Sequence, residues 1–332
     1  MTGVNDAVSE VAVMDVGGTH VTAARVDVRD WVVGGSDGRS FREPLDGDGS
    51  AEEIIATLVR CASRLTVEAG THWAVAVPGP FDYERGIGRY AGVGKFDALN
   101  GVDLGSALLT ELPGAAGVSF HNDADAFLAG EWRAGAASGH ARAMGITLGT
   151  GVGSSFLRDG TTVHDGPGVP PEGRVDSLLY GGRPIEEVVS RRAIRRAYAR
   201  AGHAGLDLGA SADPGVGAGV DPGALIDVRE IAERARGGER LAAEVFAHAF
   251  RVLGTVLAPC VEAFEPTVLV VGGSIAASWD LVAGPLREGL AAHAPNPSTA
   301  ATRVLQPARH PSDAPLLGAA YLAQTAGRPT LA

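Results

Sequence analysis

Residues 14–20 read M-D-V-G-G-T-H, and the fold turns on how that stretch is read. The apolar run Val11, Ala12, Val13 leads into Asp15, the paired glycines Gly17 and Gly18, and Thr19, and an alternating run follows over residues 21–28. That order predicts strand, tight turn, strand. Two glycines in such a turn permit φ > 0 and leave backbone N–H groups unshielded by side chains, which suits close approach of a phosphate. Asp15 at the strand's end is placed to hold Mg²⁺, directly or through water, with the Thr19 hydroxyl beside it. A plain hairpin with a Gly-Gly turn reads the same over these seven residues, so the decision rests on the rest of the chain.

At 332 residues, 45% of them hydrophobic, and with a mean hydropathy of +0.10, the chain has the size and balance of a globular protein with two cores. A net charge of −11 without a basic cluster argues against a nucleic-acid partner. The first ten residues carry no basic and apolar leader pattern, and no apolar run approaches the roughly 18 to 20 residues that span a bilayer. The expectation is a cytoplasmic protein with no membrane partner. Cys61 and Cys260 lie far apart in apolar helical patterns and are expected to be buried thiols.

Along the chain, a weak third strand is expected near 31–34, then polar turn residues over 36–49. Ser50 and Glu53 form a capping box before a helix with Ile54, Leu58 and Leu65 on one face. A buried strand over 72–77 ends at Pro78-Gly79-Pro80. Residues 82–103 form a long loop, read as a binding loop in which Asp97 and Asn100 suit a polyol. After a short helix, a strand over 117–121 runs into N-D-A-D-A at 122–126. A carboxylate between strand end and helix start is where α/β sheets place reactive groups. Asp123 is the first candidate, and Asp125 is expected to be the helix cap.

A strand over 143–148 enters a second glycine turn, L-G-T-G-V-G-S-S at 148–155. Two such turns with an Asp-bearing strand end between them imply two half-molecules, each offering N–H groups and hydroxyls to a polyphosphate. A Gly/Pro-rich passage over 165–184 contains Glu172, Arg174 and Asp176, and a helix over 185–201 follows. Residues 202–223 read as a flexible surface insertion. Two amphipathic helices lead to a strand over 268–271 and a third glycine turn, Gly272, Gly273 and Ser274, with room for an adenine or ribose against backbone. The strand pattern after residue 143 repeats the opening one, as a duplicated fold would.

The chain resembles bacterial sugar kinases of the ROK (repressor, open reading frame, kinase) family, within the actin-like, hexokinase-like superfamily. D-V-G-G-T-H at 15–20, P-G-P-F-D at 78–82, N-D-A-D-A at 122–126, L-G-T-G-V-G-S at 148–154, E-P-T-V-L-V-V-G-G-S-I at 265–275 and G-A-A-Y-L-A at 318–323 occur in the family's order. The resemblance implies an α/β fold of two actin-like (ribonuclease H-like) domains, mixed sheets flanked by helices, with an interdomain active-site cleft. A smaller domain, 1–122 plus the C-terminal helix at 313–332, would carry the first phosphate loop and the sugar loop. A larger one, 123–312, would carry the second phosphate loop and the adenosine site.

The implied activity is ATP- and Mg²⁺-dependent phosphorylation of a hexose hydroxyl, first of all the 6-OH of glucose, with Asp123 as general base. Asp15, Gly17, Gly18, Thr19 and His20 would form the first phosphate loop, and Gly149, Thr150, Gly151 and Gly153 the second, with Gly272, Gly273 and Ser274 near the adenosine. Asn122 and Glu186 would contact the sugar, and a homodimer is the family expectation. The family's repressors carry a long N-terminal DNA reader, whereas about ten residues precede the first strand here, so a repressor is not expected. A non-catalytic sugar-sensing protein is the alternative from another class.

The chain departs from the family at its sugar end. Many members carry E-x-G-H and then a cysteine-rich zinc stretch; here the passage is V-P-P-E-G-R-V-D-S-L-L-Y-G-G-R-P-I-E-E at 169–187, without cysteine, so no zinc is expected. Arg174 stands near the family's sugar-contacting His and cannot accept a hydrogen bond, while Glu172 retains a carboxylate. The loop over 94–103 lacks the tryptophan common after its glycine. An amino sugar such as kanosamine or glucosamine is the alternative substrate, with Glu172, Glu186, Asp97 or Asp176 facing its ammonium. Polyphosphate as donor ranks below ATP because the chain is acidic.

Overall fold

The computed structural model describes residues 10–35, 38–204, 225–292 and 304–325. Two compact units make up the chain, Met1–Ser138 with Arg309–Ala332, and Gly139–Ala308.

In the first unit, β1 (Glu10–Val16) and β2 (His20–Asp27) form the hairpin that the glycine pair predicts, with Asp15 opposite Thr22. β3 (Val32–Val33) and β4 (Ser40–Pro44) both pair antiparallel with β2. β4 falls where polar turn residues were expected; it is an edge strand whose alternation shows only as Phe41 between exposed neighbours. α1 (Ala51–Ala62) starts with the predicted capping box: the Glu53 N–H donates to Ser50 Oγ (3.3 Å) and the Ser50 N–H to Glu53 Oε2 (2.9 Å). The box satisfies donors that the first helical turn leaves open, while Ile54, Leu58 and Cys61 bury the opposite face.

β5 (Thr71–Val77) runs parallel to β1. β6 (Phe81–Asp82) and β7 (Ile87–Gly88) make a small hairpin inside the long loop. α2 (Leu104–Glu111), β8 (Ala115–Asn122), parallel to β5, and α3 (Asp123–Ala134) follow. The sheet order is β3-β2-β1-β5-β8, with β4 also on β2. Its core gathers Met14, Trp73, Tyr90, Phe96 and Phe120.

In the second unit, β9 (Arg142–Leu148), β10 (Val152–Arg158) and β11 (Thr161–Thr162) form an antiparallel set. β12 (Leu179–Tyr180) and β13 (Arg183–Pro184) pair apart from it. The helix expected over 185–201 is two: α4 (Glu186–Val189) and α5 (Arg191–Ala204). The break is at Ser190, whose buried hydroxyl accepts the Ala193 N–H as a cap would. The predicted surface insertion lies almost wholly outside the described residues.

α6 (Val228–Arg236) and α7 (Arg240–Phe264) precede β14 (Val268–Gly272), α8 (Trp279–Ala292) and β15 (Val304–Pro307). The sheet order is β11-β10-β9-β14-β15, with β14 parallel to both neighbours. The hairpin-then-parallel pattern of the first unit thus recurs, as expected of a duplicated fold. By length and composition α7 is apolar enough to cross a bilayer, although Glu244, Arg251 and Glu262 interrupt its sequence; 56% of its apolar window is buried, and it is the central core helix of this unit.

α9 (Ala314–Thr325) returns to the first unit and explains why α3 belongs there. A Cβ on Gly318 would collide with the backbone of Ala126 and come within 2.8 Å of the Gly130 nitrogen, and one on Gly130 would collide with Ala314. The two helices therefore meet backbone to backbone, which only glycine allows. Glu131, fully buried in α3, accepts the N–H groups of Ala136 (2.6 Å), Arg309 (3.0 Å) and His310 (2.8 Å), so one carboxylate holds the chain where it leaves this unit and where it re-enters. The division falls at 138/139 and 308/309, where the sequence placed it at 122/123 and 312/313.

Candidate active site

Two carboxylates mark the chemical end of the first sheet. Asp15 is near the end of β1, and Asp123 opens α3 directly after β8; both are half buried. Burial, then the Asp123 charge, pushes the Asp15 carboxyl up to about 7, against a smaller opposing effect of Arg42. Asp123 is also raised, by burial, with Lys95 and the Ala124 N–H favouring its ionised form. A carboxylate with a raised pKa is a better proton acceptor near neutrality than an exposed one.

The pair also fits a divalent cation, which relieves carboxylates that disfavour each other's ionisation. Among the described residues no group of three or more His, Cys, Asp or Glu gathers as a metal centre, so an ion at Asp15 would take its remaining ligands from phosphate oxygens and water.

Asn122 is the cap of α3, the role expected of Asp125. Its Oδ1 accepts the N–H groups of Ala124 (2.9 Å) and Asp125 (3.2 Å), and its Nδ2 donates to Tyr83 Oη at 2.9 Å. Asn outcompetes Asp125 because it precedes the first helical residue, where a side chain reaches back to the free amides. One amide hydrogen of Asn122 is left for a ligand.

The first glycine turn closes through Gly17 N–H to His20 O at 2.9 Å. Neither Gly17 nor Gly18 has positive φ, so of the two reasons for glycine in this turn the conformational one does not hold. What glycine provides is an uncovered backbone: the N–H of Gly18 finds no acceptor among the described residues. A Cβ on Gly17 would stand 3.6 Å from His20 Cε1, and one on Gly18 would stand 3.5 Å from Lys95 Cδ. The Thr19 hydroxyl bonds His20 Nδ1 at 3.1 Å, and burial, then Arg42, lowers the His20 pKa.

Lys95 and Arg42 are the charged groups that motif reading missed. Arg42 sits opposite Thr22 on β4, in register with Asp15, and its signal was hidden with that edge strand. Asp97 and Asn100 share the loop of Lys95. Asp97 Oδ1 accepts the N–H groups of Val93 (3.1 Å) and Gly94 (3.2 Å) and so shapes the loop, while Asn100 is exposed.

In the second unit two glycine turns meet. Gly149 N–H donates to Gly151 O (3.0 Å), and the Arg191 N–H at the start of α5 donates to Gly149 O (2.8 Å). Gly273, at φ 84°, lies so close to β9 that a Cβ there would be 2.6 Å from the Leu148 nitrogen. Here glycine is compulsory, both for its φ and for the contact. A Cβ on Gly149 would stand 3.8 Å from Ser274 Oγ, so the second glycine turn begins against the third. Gly153 lies within β10, and its neighbour Ser154 ties that strand to the next segment through Gly173 O (2.6 Å) and the Val175 N–H (2.9 Å).

That tie positions Arg174, whose guanidinium forks onto Asp176 (Nη2 to Oδ2 2.7 Å, Nε to Oδ1 3.3 Å). The Asp176 hydrogen bond first, then the Asp176, Glu172 and Glu186 charges, hold Arg174 in its charged form against burial. Glu186 Oε2 accepts the Val152 N–H at 3.0 Å, beside Gly151. The unit thus brings Glu172, Arg174, Asp176 and Glu186 together, next to the second glycine turn.

The family pattern described as ROK family matches residues 11–326. A glucokinase of Thermotoga maritima is 30% identical over 268 residues, covering 77% of this chain and 80% of that protein. The crystal structure of a ROK family glucokinase from Streptomyces griseus in complex with glucose and AMPPNP is similar with a TM-score of 0.71 at 26% identity, over 95% of this chain and 99% of the other. A ROK hexokinase from Thermus thermophilus shares the fold with a TM-score of 0.68 at 24% identity, over 96% of this chain and all of the other. With two duplicated α/β units, three glycine turns in sequence order and a match over nearly its whole length, the chain belongs to the ROK family.

Proposed function

We propose that the protein transfers the γ-phosphoryl group of ATP to a hydroxyl of a hexose, with the 6-OH of glucose as the first expectation and Asp123 as general base. The observation that carries this reading is the Asp123 carboxylate, raised in pKa at the β8–α3 junction beside Asp15 and a glycine turn with an uncovered amide. The relatives that are glucokinases, one with glucose and AMPPNP bound, support the donor and the acceptor class. An alkyl hydroxyl is a poor nucleophile, and a positioned carboxylate that takes its proton contributes about 10²- to 10⁴-fold. Gly18 offers an uncovered backbone N–H to phosphate oxygens with no side chain of its own in the way. Mg²⁺, when bound at Asp15, neutralises charge on the phosphate oxygens.

A second acceptor is favoured by one observation. The Arg174 charge is taken up by Asp176, which leaves Glu172 and Glu186 beside it as excess negative charge suited to the ammonium of an amino hexose. Incubation with glucose, glucosamine, kanosamine, mannose and N-acetylated hexoses, each with ATP and with polyphosphate, tests both readings by mass spectrometry of the sugar phosphate. Turnover with a neutral hexose and ATP is expected; turnover restricted to amino hexoses transfers the assignment to the second reading, and no turnover with any pair removes the kinase assignment. The homodimer belongs to the same proposal and is checked by light scattering.

A further inference from the structure

Lys95 is the only lysine among the 28 lysines and arginines of the chain. It follows Gly94, in the loop that lacks the family's tryptophan, and that loop is held on both sides. Asp97 Oδ1 gathers the N–H groups of Val93 and Gly94 on one side of it. On the other side the Phe96 N–H donates to Gly47 O at 2.7 Å, and the Phe96 ring is fully buried, with its backbone in the left-handed region at φ 58°. Gly47 in turn lies against the first glycine turn, where a Cβ on it would stand 2.9 Å from Gly18 O.

The loop tip is therefore fixed relative to that turn, and the half-buried Lys95 stem runs over Gly18, with Cδ 3.5 Å from the site of a Gly18 Cβ. Its charge acts on Asp123. No ion pair or hydrogen bond among the described residues engages its ammonium. A strongly hydrated cation held half buried near Asp123, with neither hydrogen bond nor ion pair among the described residues and beside an uncovered backbone N–H, is arranged for an anion that arrives with the substrate.

We infer that Lys95 is a catalytic residue whose ammonium binds the non-bridging oxygens of the phosphoryl group as it passes from the nucleotide to the sugar hydroxyl. The inference rests on the kinase reading above. In the step, the hydroxyl oxygen forms a bond to the γ-phosphorus and the bond from that phosphorus to the β,γ-bridging oxygen breaks, its electron pair leaving with ADP. The hydroxyl proton goes to the Asp123 carboxylate. Lys95 stabilises charge on the oxygens in flight.

The test uses the full chain, wild type and the variants Lys95→Met and Lys95→Arg, with ATP, Mg²⁺ and whichever hexose the wild type phosphorylates. Lys95→Met is expected to lower kcat by about 10²- to 10³-fold, with the hexose KM within about threefold, and Lys95→Arg to regain at least about tenfold of the loss. A purely structural lysine would give no such split and no charge-specific rescue.

The absence of any other lysine supplies a readout independent of turnover. An amine-acylating reagent modifies Lys95 as the one ε-amine of the chain, and peptide mass spectrometry follows its rate with AMPPNP, with hexose alone and with neither. AMPPNP near ten times its Kd is expected to slow Lys95 acylation about tenfold, and hexose alone to leave it within twofold. Wild-type turnover with an equally active Lys95→Met variant, or acylation indifferent to AMPPNP, overturns the inference and leaves the kinase reading standing. A wild type that phosphorylates no hexose removes that reading and the inference with it.

Discussion

Replacing Asp15 by Asn should make the ligand-free protein more stable at neutral pH, while removing the carboxylate proposed to hold Mg²⁺. Asp15 has its folded-state pKa raised from 3.8 to about 7. Between those values the folded state binds more protons than the unfolded state, so this contribution is fully present below about pH 4 and is lost as pH rises to 7. At 1.36 kcal/mol per unit the whole shift corresponds to roughly 4 kcal/mol, and the solvent that still touches the carboxylate reduces it towards about 2 kcal/mol.

His121 works in the opposite sense. Burial first, then His72, lowers its pKa from 6.5 to about 4, so its contribution is full above 6.5 and is lost, by roughly 3 kcal/mol, as pH falls to 4. The two slopes oppose each other between about pH 4 and 6.5. Asp15→Asn removes one slope and exposes the other. Urea unfolding in EDTA at pH 4.5, 5.5, 6.5 and 8 should show a variant equal to wild type near pH 4.5 and about 2 to 4 kcal/mol more stable at pH 8. A difference between the two proteins that stays constant with pH, or a less stable variant at pH 8, would refute the reasoning.

Two further predictions follow from packing. Gly273→Ala puts a Cβ against the Leu148 backbone at φ 84° and should weaken AMPPNP binding at least about tenfold and cost about 2 kcal/mol, whereas Gly18→Ala, at negative φ with only the Lys95 stem nearby, should stay within about 1 kcal/mol of wild-type stability. Calorimetric titration and urea midpoints read both, and equal effects of the two substitutions would contradict the account. Glu131→Gln turns an acceptor of three backbone N–H groups into a group with only one acceptor oxygen and should lower unfolding free energy by about 3 to 5 kcal/mol; a loss below about 1 kcal/mol would mean that the buried carboxylate is not what holds the crossing segments.

Much of this architecture was legible in local chemistry. The glycine turns at 17–18, 149–151 and 272–274 and the strand end before Asp123 combine a β-branched run with an abrupt change of residue type, and the Ser50–Glu53 box announces α1 on its own. Features set by tertiary neighbours were not legible. β4 exists because β2 offers it a backbone edge, and its sequence S-F-R-E-P shows one apolar residue. At Gly17 and Gly18 the uncovered amide is legible in residue type and the φ is not, because whether a glycine pair turns through positive φ depends on the hairpin around it.

The domain division shifted by one helix, because the junction of Asp123 with β8 is visible in sequence and the Gly130–Gly318 contact, between residues 188 positions apart, is not. Asn122 was read as a sugar contact, and the structure spends most of its hydrogen-bonding capacity on capping α3 and holding Tyr83. Lys95 carried one available signal, its uniqueness among so many arginines, which no motif registers.

The central claim is that a carboxylate at the β8–α3 junction takes the proton from a hexose hydroxyl as phosphoryl transfer proceeds. The most direct measurement is the single-turnover rate of sugar phosphate formation by Asp123→Asn, with AMPPNP affinity and urea stability determined alongside it. The account predicts a rate about 10²- to 10⁴-fold below wild type with nucleotide affinity retained. A rate within a few-fold of wild type in a folded, nucleotide-binding variant would contradict it.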